Sequence, residues 1–453
     1  MADLQLPELD PCVHCGFCLE ACPTYRITGD EAEGPRGRIV MMRNVANGSL
    51  DARDASLVHL DHCIGCRGCE PACPSGVRYG AALGKVRELL VSRGRTNTYK
   101  VEALLAAVAR PRVRHEFFRT AGEFRPLATR AVRAGLSFRA LRLLAATHQH
   151  DQAATEADAH PLRRGTVALF RGCIADDLFA HVHDSTARVL QHAGYDLLPV
   201  PNQTCCGALH AHAGQGDTAR ALAAQNSAAF ASSEVPIVVN SAGCSAMLAE
   251  YDTWTRHDSV SHRVWDVMDF LAQHGYRPQG SLPLRVVYDP PCHLLHAQGI
   301  HQSVVALLES IPQIELLRHR DAELCCGAGG SYALSEPEMS DEVTTYKVDA
   351  ILESEPAVVV TGNPGCIMQL GSEMLRRGVA VPVLHPVEIL DWAGAAPPAA
   401  PPQPRRTIDD GRRTTDESSE KYEVRRGNAT KDLAPIRDMR LAIRHTPTSI
   451  RFS

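Results

Sequence analysis

The sequence predicts an α plus α/β protein, in which a small helical domain precedes an α/β domain that occurs twice. The 453 residues include 16 cysteines, and eight of these lie between Cys12 and Cys73 and eight between Cys173 and Cys366. Helical patterns surround the first group. Short β-branched runs, each followed by a cysteine and then by a helical pattern, surround the second group, which is typical of α/β folds.

The composition excludes several classes of protein. A hydrophobic fraction of 44% supports packed cores, and a net charge of −5 gives no reason to expect nucleic acid as a partner. No apolar run reaches the roughly 18 residues of a membrane span. The N-terminus lacks the basic and apolar regions of a secretory signal, so we expect a cytoplasmic protein. Thiols stay reduced there, and the cysteines are therefore expected to bind metal or carry redox chemistry instead of forming disulfides.

The first cysteine group contains the motif C-x2-C-x2-C-x3-C-P twice, at residues 12–23 and 63–74. Three closely spaced cysteines wrap around one iron–sulfur cubane, and in two-cluster ferredoxins the fourth ligates the other cluster. Zinc sites are a weaker interpretation, because zinc needs two C-x2-C pairs and not four cysteines per motif. The sequence thus predicts two 4Fe–4S clusters, the first on Cys12, Cys15, Cys18 and Cys73, and the second on Cys22, Cys63, Cys66 and Cys69.

We assign residues 1–94 to this helical ferredoxin-like domain, with helices expected at 36–45 and 51–60. The turn at 34–38 contains Arg36 and Arg38. Guanidinium groups near anionic clusters could raise the cluster potential. The same residues also fit a simple helix start with Pro35 in its first turn, and the sequence leaves both interpretations open.

Residues 95–163 are predicted to form a helical basic connector. Between Arg110 and Arg142 there are nine arginines against Glu116 and Glu123, interleaved with apolar and aromatic residues. Such a segment can lie on an anionic membrane surface or bind an acidic partner. A solvated helical face resting on the rest of the protein is the alternative.

Two related α/β units are predicted at 164–282 and 283–393. Corresponding cysteines in the two units are 119 to 122 residues apart, which indicates duplication. Adjacent cysteines cannot easily chelate one ion, but they can bind two irons of one cluster. Eight cysteines at predicted strand ends are therefore candidate metal ligands, the alternative being buried structural cysteines: Cys173, Cys205, Cys206 and Cys244, then Cys292, Cys325, Cys326 and Cys366.

The tail at 394–453 begins with a Pro- and Ala-rich stretch and continues as a polar segment. It has too few apolar residues to offset the entropy of ordering, so we expect disorder and assign no function to it.

The cysteine motifs, together with the segments 34–38, 73–79 and 324–327, resemble those of the family that contains the iron–sulfur subunits of glycolate oxidase. Lactate utilisation, glycerol-3-phosphate dehydrogenase and heterodisulfide reductase subunits share the repeated CCG unit. The resemblance implies an electron-transfer subunit of an oxidoreductase that works beside flavoprotein subunits. In this family those subunits oxidise glycolate to glyoxylate, and electrons pass towards the membrane quinone pool.

Two departures from known motifs limit the function of the chain itself. The heterodisulfide reductase form has a fifth cysteine, whereas this chain has Met247 and Gln369 there. Disulfide reduction is therefore in doubt, and the CCG units could hold clusters, another metal or none. The glycine run 327–330 follows no apolar strand, so it does not predict a dinucleotide site. We expect FAD only on the partner and no catalytic residue in this chain. The expected location is the cytoplasm or the cytoplasmic face of the inner membrane. Lactate and glycerol 3-phosphate are alternative substrates of the partner.

Overall fold

Four α-helices and the loops between them carry the first eight cysteines in a computed structural model that describes residues 4–136, 138–147 and 163–394. The predicted tail lies outside the described residues from position 395 onward, as does part of the connector. The helices are α1 (Pro23–Thr28), α2 (Pro35–Ala46), α3 (Val58–Asp61) and α4 (Tyr79–Ser92), with single 3-10 turns at Pro7–Leu9, Glu31–Glu33 and Ala55–Leu57.

The core of this first domain lies between α2 and α4. Ile39, Met42 and Val45 on α2 and Val86 and Leu90 on α4 are buried at spacings of three or four residues, as expected for helices with one buried face. The helix predicted at 51–60 is shorter than expected. The Asp51 and Asp54 carboxylates accept hydrogen bonds from backbone N–H groups two residues later, which favours turns over a helix.

The described part of the connector contains four helices, two of which begin at or beside a proline. Backbone N–H groups in the first turn of a helix have no acceptor within the helix. Proline, which lacks an N–H, is therefore favoured at this position. The helices are α5 (Tyr99–Val108), α6 (Pro111–Glu123), α7 (Arg125–Arg133) and α8 (Arg139–Ala145).

Each α/β unit has a four-stranded parallel sheet. The strand orders are β2-β1-β3-β4 and β6-β5-β7-β8, so the second sheet repeats the topology of the first. The strands are β1 (Gly165–Phe170), β2 (Tyr195–Leu198), β3 (Ile237–Val239), β4 (Val264–Asp266), β5 (Arg285–Tyr288), β6 (Glu315–Leu317), β7 (Val358–Val360) and β8 (Val383–Leu384). The two inner strands of each sheet are the short β-branched runs that precede Cys173, Cys244, Cys292 and Cys366, whereas the edge strands were not predicted.

Helices on both faces cover these sheets. In the first unit they are α9 (Ile174–Leu178), α10 (Ala180–His192), α11 (Ala208–His212), α12 (Gly216–Phe230), α13 (Ala242–Ala249), α14 (Tyr251–Trp254) and α15 (Val267–Gln273). In the second unit they are a π-helical turn (His293–Gln298), α16 (His301–Glu309), α17 (Tyr332–Ser335), α18 (Pro337–Leu352), α19 (Pro364–Arg376) and α20 (Pro386–Gly394). The architecture confirms the predicted α plus α/β fold class.

The second cysteine motif packs directly against the second α/β unit. Ile64 shares a core with Cys325, Cys326 and Val359. Gly329 adopts a left-handed φ of +50°, and a Cβ there would lie 2.8 Å from Cγ2 of Ile64. The close approach of the two loops therefore requires glycine at this position. Within the described residues, no helix is long and apolar enough to cross a membrane.

Candidate metal centres

The first eight cysteines gather around two small cavities in the helical domain. Cys12, Cys15, Cys18 and Cys73 line one of them, together with Cys69. The other is lined by Cys22, Cys63, Cys66 and Cys69. The structure thus brings together each of the two quartets that the crossed assignment groups.

The two cavities differ in their distance from solvent. Cys15 is exposed, and the side chains of Val13 and Phe17 beside it are 72% and 68% exposed. In contrast, Cys22 and Cys63 are buried. The first quartet therefore lies nearer to the protein surface than the second.

Both motif loops have the same unusual backbone. The residues on either side of the middle cysteine adopt left-handed conformations, with φ of 56° at His14 and 87° at Gly16, and 76° at Gly65 and 62° at Arg67. A left-handed conformation costs a residue other than glycine about 1–2 kcal/mol. The strain at His14 and Arg67 shows that the loop shape is imposed by its surroundings and not by local preference.

A buried ion pair adjoins the second quartet. The Arg38 side chain is 1% exposed, and its guanidinium group donates to Glu33 Oε2 at 2.7 Å, to Thr24 Oγ1 at 3.0 Å and to Cys22 Sγ at 3.8 Å. The ring nitrogens Nδ1 of His59 and His62 lie 2.5 and 2.7 Å from Glu33 Oε1. These partners fix Arg38 beside the thiols.

The Glu33 carboxyl remains ionised in this network. Burial raises its pKa, but the hydrogen bonds from His62 and His59 and the charge of Arg38 outweigh burial and lower the pKa to about 2. Glu33, His59 and His62 also place one ligand atom each within 4.8 Å of one another. The Arg38 cation in contact with the carboxylate disfavours a metal cation there.

The electrostatic surroundings of the second quartet shift the pKa values of its thiols in different directions. Burial and the charges of Cys292 and Cys22 raise the pKa of Cys66 well above its usual value. For Cys63, burial acts in the same direction, but the charges of Arg38 and Arg87 prevail and lower the pKa. Thiolates are the metal-binding form of cysteine. Crowded buried thiols beside fixed cations fit an iron–sulfur cluster, whose irons supply the missing positive charge.

The second cysteine group also forms two quartets, one in each α/β unit. In the second unit, Sγ of Cys326 lies 2.9 Å from Sγ of Cys366, and Sγ of Cys325 lies 4.0 Å from Sγ of Cys292. In the first unit, the Cys205 thiol contacts Cys173 and Cys206, and Cys206 contacts Cys244. Each quartet lies at the carboxyl edge of its parallel sheet, because the strands before these loops run in the same direction.

Three of the four quartets are neighbours. The thiols of Cys66 and Cys292 lie close enough for the charge of one to raise the pKa of the other. Asn363 connects the two α/β units, since its Nδ2 donates to Cys366 Sγ at 3.7 Å and its Oδ1 accepts from Gly243 N, beside Cys244, at 3.2 Å. Sequence spacing gave no signal for the role of Asn363 or for the order of the sites.

Replacing Arg38 with methionine is expected to destabilise the protein by about 3–5 kcal/mol, because the Glu33 carboxylate stays buried without its cation. The matched control is Arg36→Met, which breaks a more exposed pair with Glu31 and should cost less than about 1 kcal/mol. Denaturant unfolding of both variants provides the measurement. Equal losses in the two variants would contradict the structural importance of the buried pair.

Comparisons with protein families match both parts of the chain. A 4Fe-4S dicluster domain model matches residues 8–77, and a cysteine-rich domain model matches residues 167–249 and 286–371. These matches confirm the predicted iron–sulfur character of the chain.

Related proteins cover most of the sequence. The probable glycolate oxidase iron-sulfur subunit of Bacillus subtilis is 32% identical over 84% of this chain and 93% of its own length. The glycolate oxidase iron-sulfur subunit of Escherichia coli is 31% identical over 85% of this chain and 94% of its own length. Lactate utilization protein A of Oceanobacillus iheyensis is 32% identical over 50% of this chain and 96% of its own length. The chain belongs to the family of glycolate oxidase iron–sulfur subunits.

Proposed function

We propose that this chain is the electron-transfer subunit of a complex that oxidises glycolate to glyoxylate. The observation that carries the proposal is the succession of cysteine quartets, from the exposed Cys15 to the half-buried Cys66 and on to Cys292, which packs against the same buried cluster as Cys66. Such a succession suits one-electron transfer between a surface partner and the protein interior.

In this proposal the helical domain holds two 4Fe–4S clusters with crossed ligation. Cys12, Cys15, Cys18 and Cys73 bind the first, and Cys22, Cys63, Cys66 and Cys69 bind the second. When bound, these clusters supply reversible one-electron chemistry. Arg38 and Arg87 favour the thiolate form of Cys63, and Arg38 also holds Cys22 in place.

We further propose that the quartets of the α/β units hold iron–sulfur clusters of their own. Four thiols meet in each unit, which is the number that a cubane requires. The chain has no proposed catalytic residue. We assign the chemistry on the organic substrate to a flavoprotein partner that carries FAD, because that step needs a two-electron cofactor.

Crossed ligation predicts that Cys12→Ser and Cys22→Ser remove different clusters. Each single variant should lose one cluster, and the double variant should lose both, because the two cysteines serve different clusters. If each motif instead bound its own cluster, the double variant would retain the second. Iron content and the EPR signals of the dithionite-reduced protein distinguish the two schemes. The control combines Cys22→Ser with Cys63→Ser, which should remove the second cluster alone if ligation is crossed.

A dye-reduction assay of the whole complex tests the proposed substrate. Purified with its flavoprotein partners, it should reduce an artificial dye with glycolate faster than with lactate or glycerol 3-phosphate. Lactate is the second candidate, because a lactate utilization protein matches half of this chain. A clear preference for lactate in kcat/KM would reject the glycolate assignment.

The connector carries an exposed apolar surface, and we propose that it holds the complex at the cytoplasmic face of the inner membrane. Val113, Phe117, Phe124 and Leu127 are 49–61% exposed. The basic charge is smaller than the sequence suggested, because several arginines are bound internally; Arg114, for example, pairs with Asp176 and Asp177. Apolar insertion would therefore contribute more to membrane binding than charge.

Vesicle flotation tests this surface. The protein should float with vesicles that contain anionic lipid, and Phe117→Ser with Phe124→Ser should reduce the bound fraction several-fold. A matched control is Phe17→Ser, which removes an exposed phenylalanine in the first cysteine loop. If the protein does not float, or if the double variant floats equally well, the connector does not bind the membrane.

A further inference from the structure

A buried ion pair of Lys347 and Asp289 lies in the second α/β unit, close in sequence and in space to its cysteine quartet. The side chains are 1% and 2% exposed, and Nζ of Lys347 lies 2.7 Å from Oδ1 of Asp289. Asp289 follows β5 and stands three residues before Cys292. Lysine is almost never buried this deeply unless it is paired. Because solvent does not screen these charges, both act strongly on their surroundings.

Lys347 also holds the loop that carries the adjacent cysteines of this unit. Its ammonium group donates to three backbone carbonyl oxygens at 3.1, 2.9 and 2.8 Å, those of Asp321, Ala322 and Leu324. Leu324 directly precedes Cys325. The lysine therefore connects the segment before Cys325 to the segment before Cys292.

The charge of Asp289 acts on the thiols of the quartet. Burial raises the pKa of the Asp289 carboxyl, but the charge of Lys347 and the nearby His319 outweigh burial and lower the pKa. The carboxyl group is therefore ionised. Contact with Cys325 and burial raise the pKa of Cys292, and the charge of Asp289 raises it further.

The first α/β unit holds its loop of adjacent cysteines without charges. Phe170 stands three residues before Cys173, the position that Asp289 has in the second unit. Helix α12, which corresponds to α18, contributes the buried Asn226. Its Nδ2 donates to Cys205 O at 3.0 Å, and its Oδ1 accepts from Thr204 N at 2.8 Å.

The comparison of the two units indicates that the charges have a purpose beyond holding the loop. A neutral amide is sufficient for that in the first unit. A buried ion pair has a large desolvation cost, and uncharged residues often stabilise a protein equally well. The pair in the second unit is therefore expected to act through its charges.

We infer that Lys347 and Asp289 are positioning residues that set the reduction potential of the metal centre in the second α/β unit. The inference rests on the proposal that this unit holds an iron–sulfur cluster. Reduction adds one negative charge to a cluster, so a nearby cation raises its potential and a nearby anion lowers it. The second unit can thereby differ in potential from the first, which has no such pair at the corresponding positions.

The test is a redox titration, followed by EPR, of the full chain with reconstituted clusters. The signal of the second-unit centre is the one that Cys326→Ser removes. Asp289→Asn should raise the potential, so that the ratio of reduced to oxidised centre increases roughly tenfold at a fixed potential, or about 59 mV for a one-electron couple. Lys347→Met should shift the ratio in the opposite direction by a similar factor. The double variant should return close to the potential of the unchanged protein.

Two controls separate charge from structure. Arg318→Met removes one positive charge from an exposed position of the same unit, where solvent and salt should screen the change and leave the potential unaltered. The first-unit centre, identified by the signal that Cys206→Ser removes, should keep its potential in every variant.

An unchanged or lower potential in Asp289→Asn would overturn the inference, as would shifts of the same sign in Asp289→Asn and Lys347→Met. A purely structural defect has no reason to follow the sign of the charge that is removed. If Lys347→Met binds no cluster, the double variant decides, because a potential equal to that of Asp289→Asn contradicts any contribution from Lys347. Protein with the ferredoxin signals alone would reject the clusters proposed for the α/β units, and this inference with them.

Discussion

Crowding of thiols in a protein interior is the constraint that shapes this molecule. Burial disfavours the charged form of a thiol, and ionised thiols repel one another, so the pKa values of Cys66 and Cys69 are raised. Metal binding nevertheless requires thiolates. The fold meets this requirement with buried cations, of which Arg38 is the clearest case, and with the positive charge that iron would bring.

The same constraint explains the local backbone. Three thiols can face one point only if the chain turns sharply around them, and both motif loops do so with left-handed residues around the middle cysteine. Glycine occupies one such position in each loop, while His14 and Arg67 occupy the others. Arg67 is held by Glu70 and Glu250, so contacts elsewhere offset part of its strain.

Contacts between the domains determine how electrons could travel. Gly329 allows its loop to approach Ile64, and Gly214 allows another loop to approach the backbone of Arg87. These close approaches bring Cys66 and Cys292 to the same buried cluster, where burial and the charge of Cys292 raise the pKa of Cys66. They also enclose a polar cavity next to Cys63. The proposed electron transfer thus depends on this packing.

The sequence by itself determined the fold class, the two ferredoxin motifs and the duplication, because cysteine spacing and strand–cysteine–helix order are local properties of the chain. It also predicted the inner strands, which are short apolar runs such as β3 and β7. Edge strands such as β6 were missed because their side chains are partly exposed and their pattern is mixed.

Only the tertiary structure decided where the charges act and which sites are neighbours. Arg114 looked like part of a basic surface, yet it is buried against Asp176 and Asp177, more than 60 residues away. The packing of Cys66 and Cys292 against one buried cluster and the hydrogen bond from Gly243 to Asn363 likewise join distant segments. Such pairings depend on how whole domains pack, and no local pattern in the sequence encodes them.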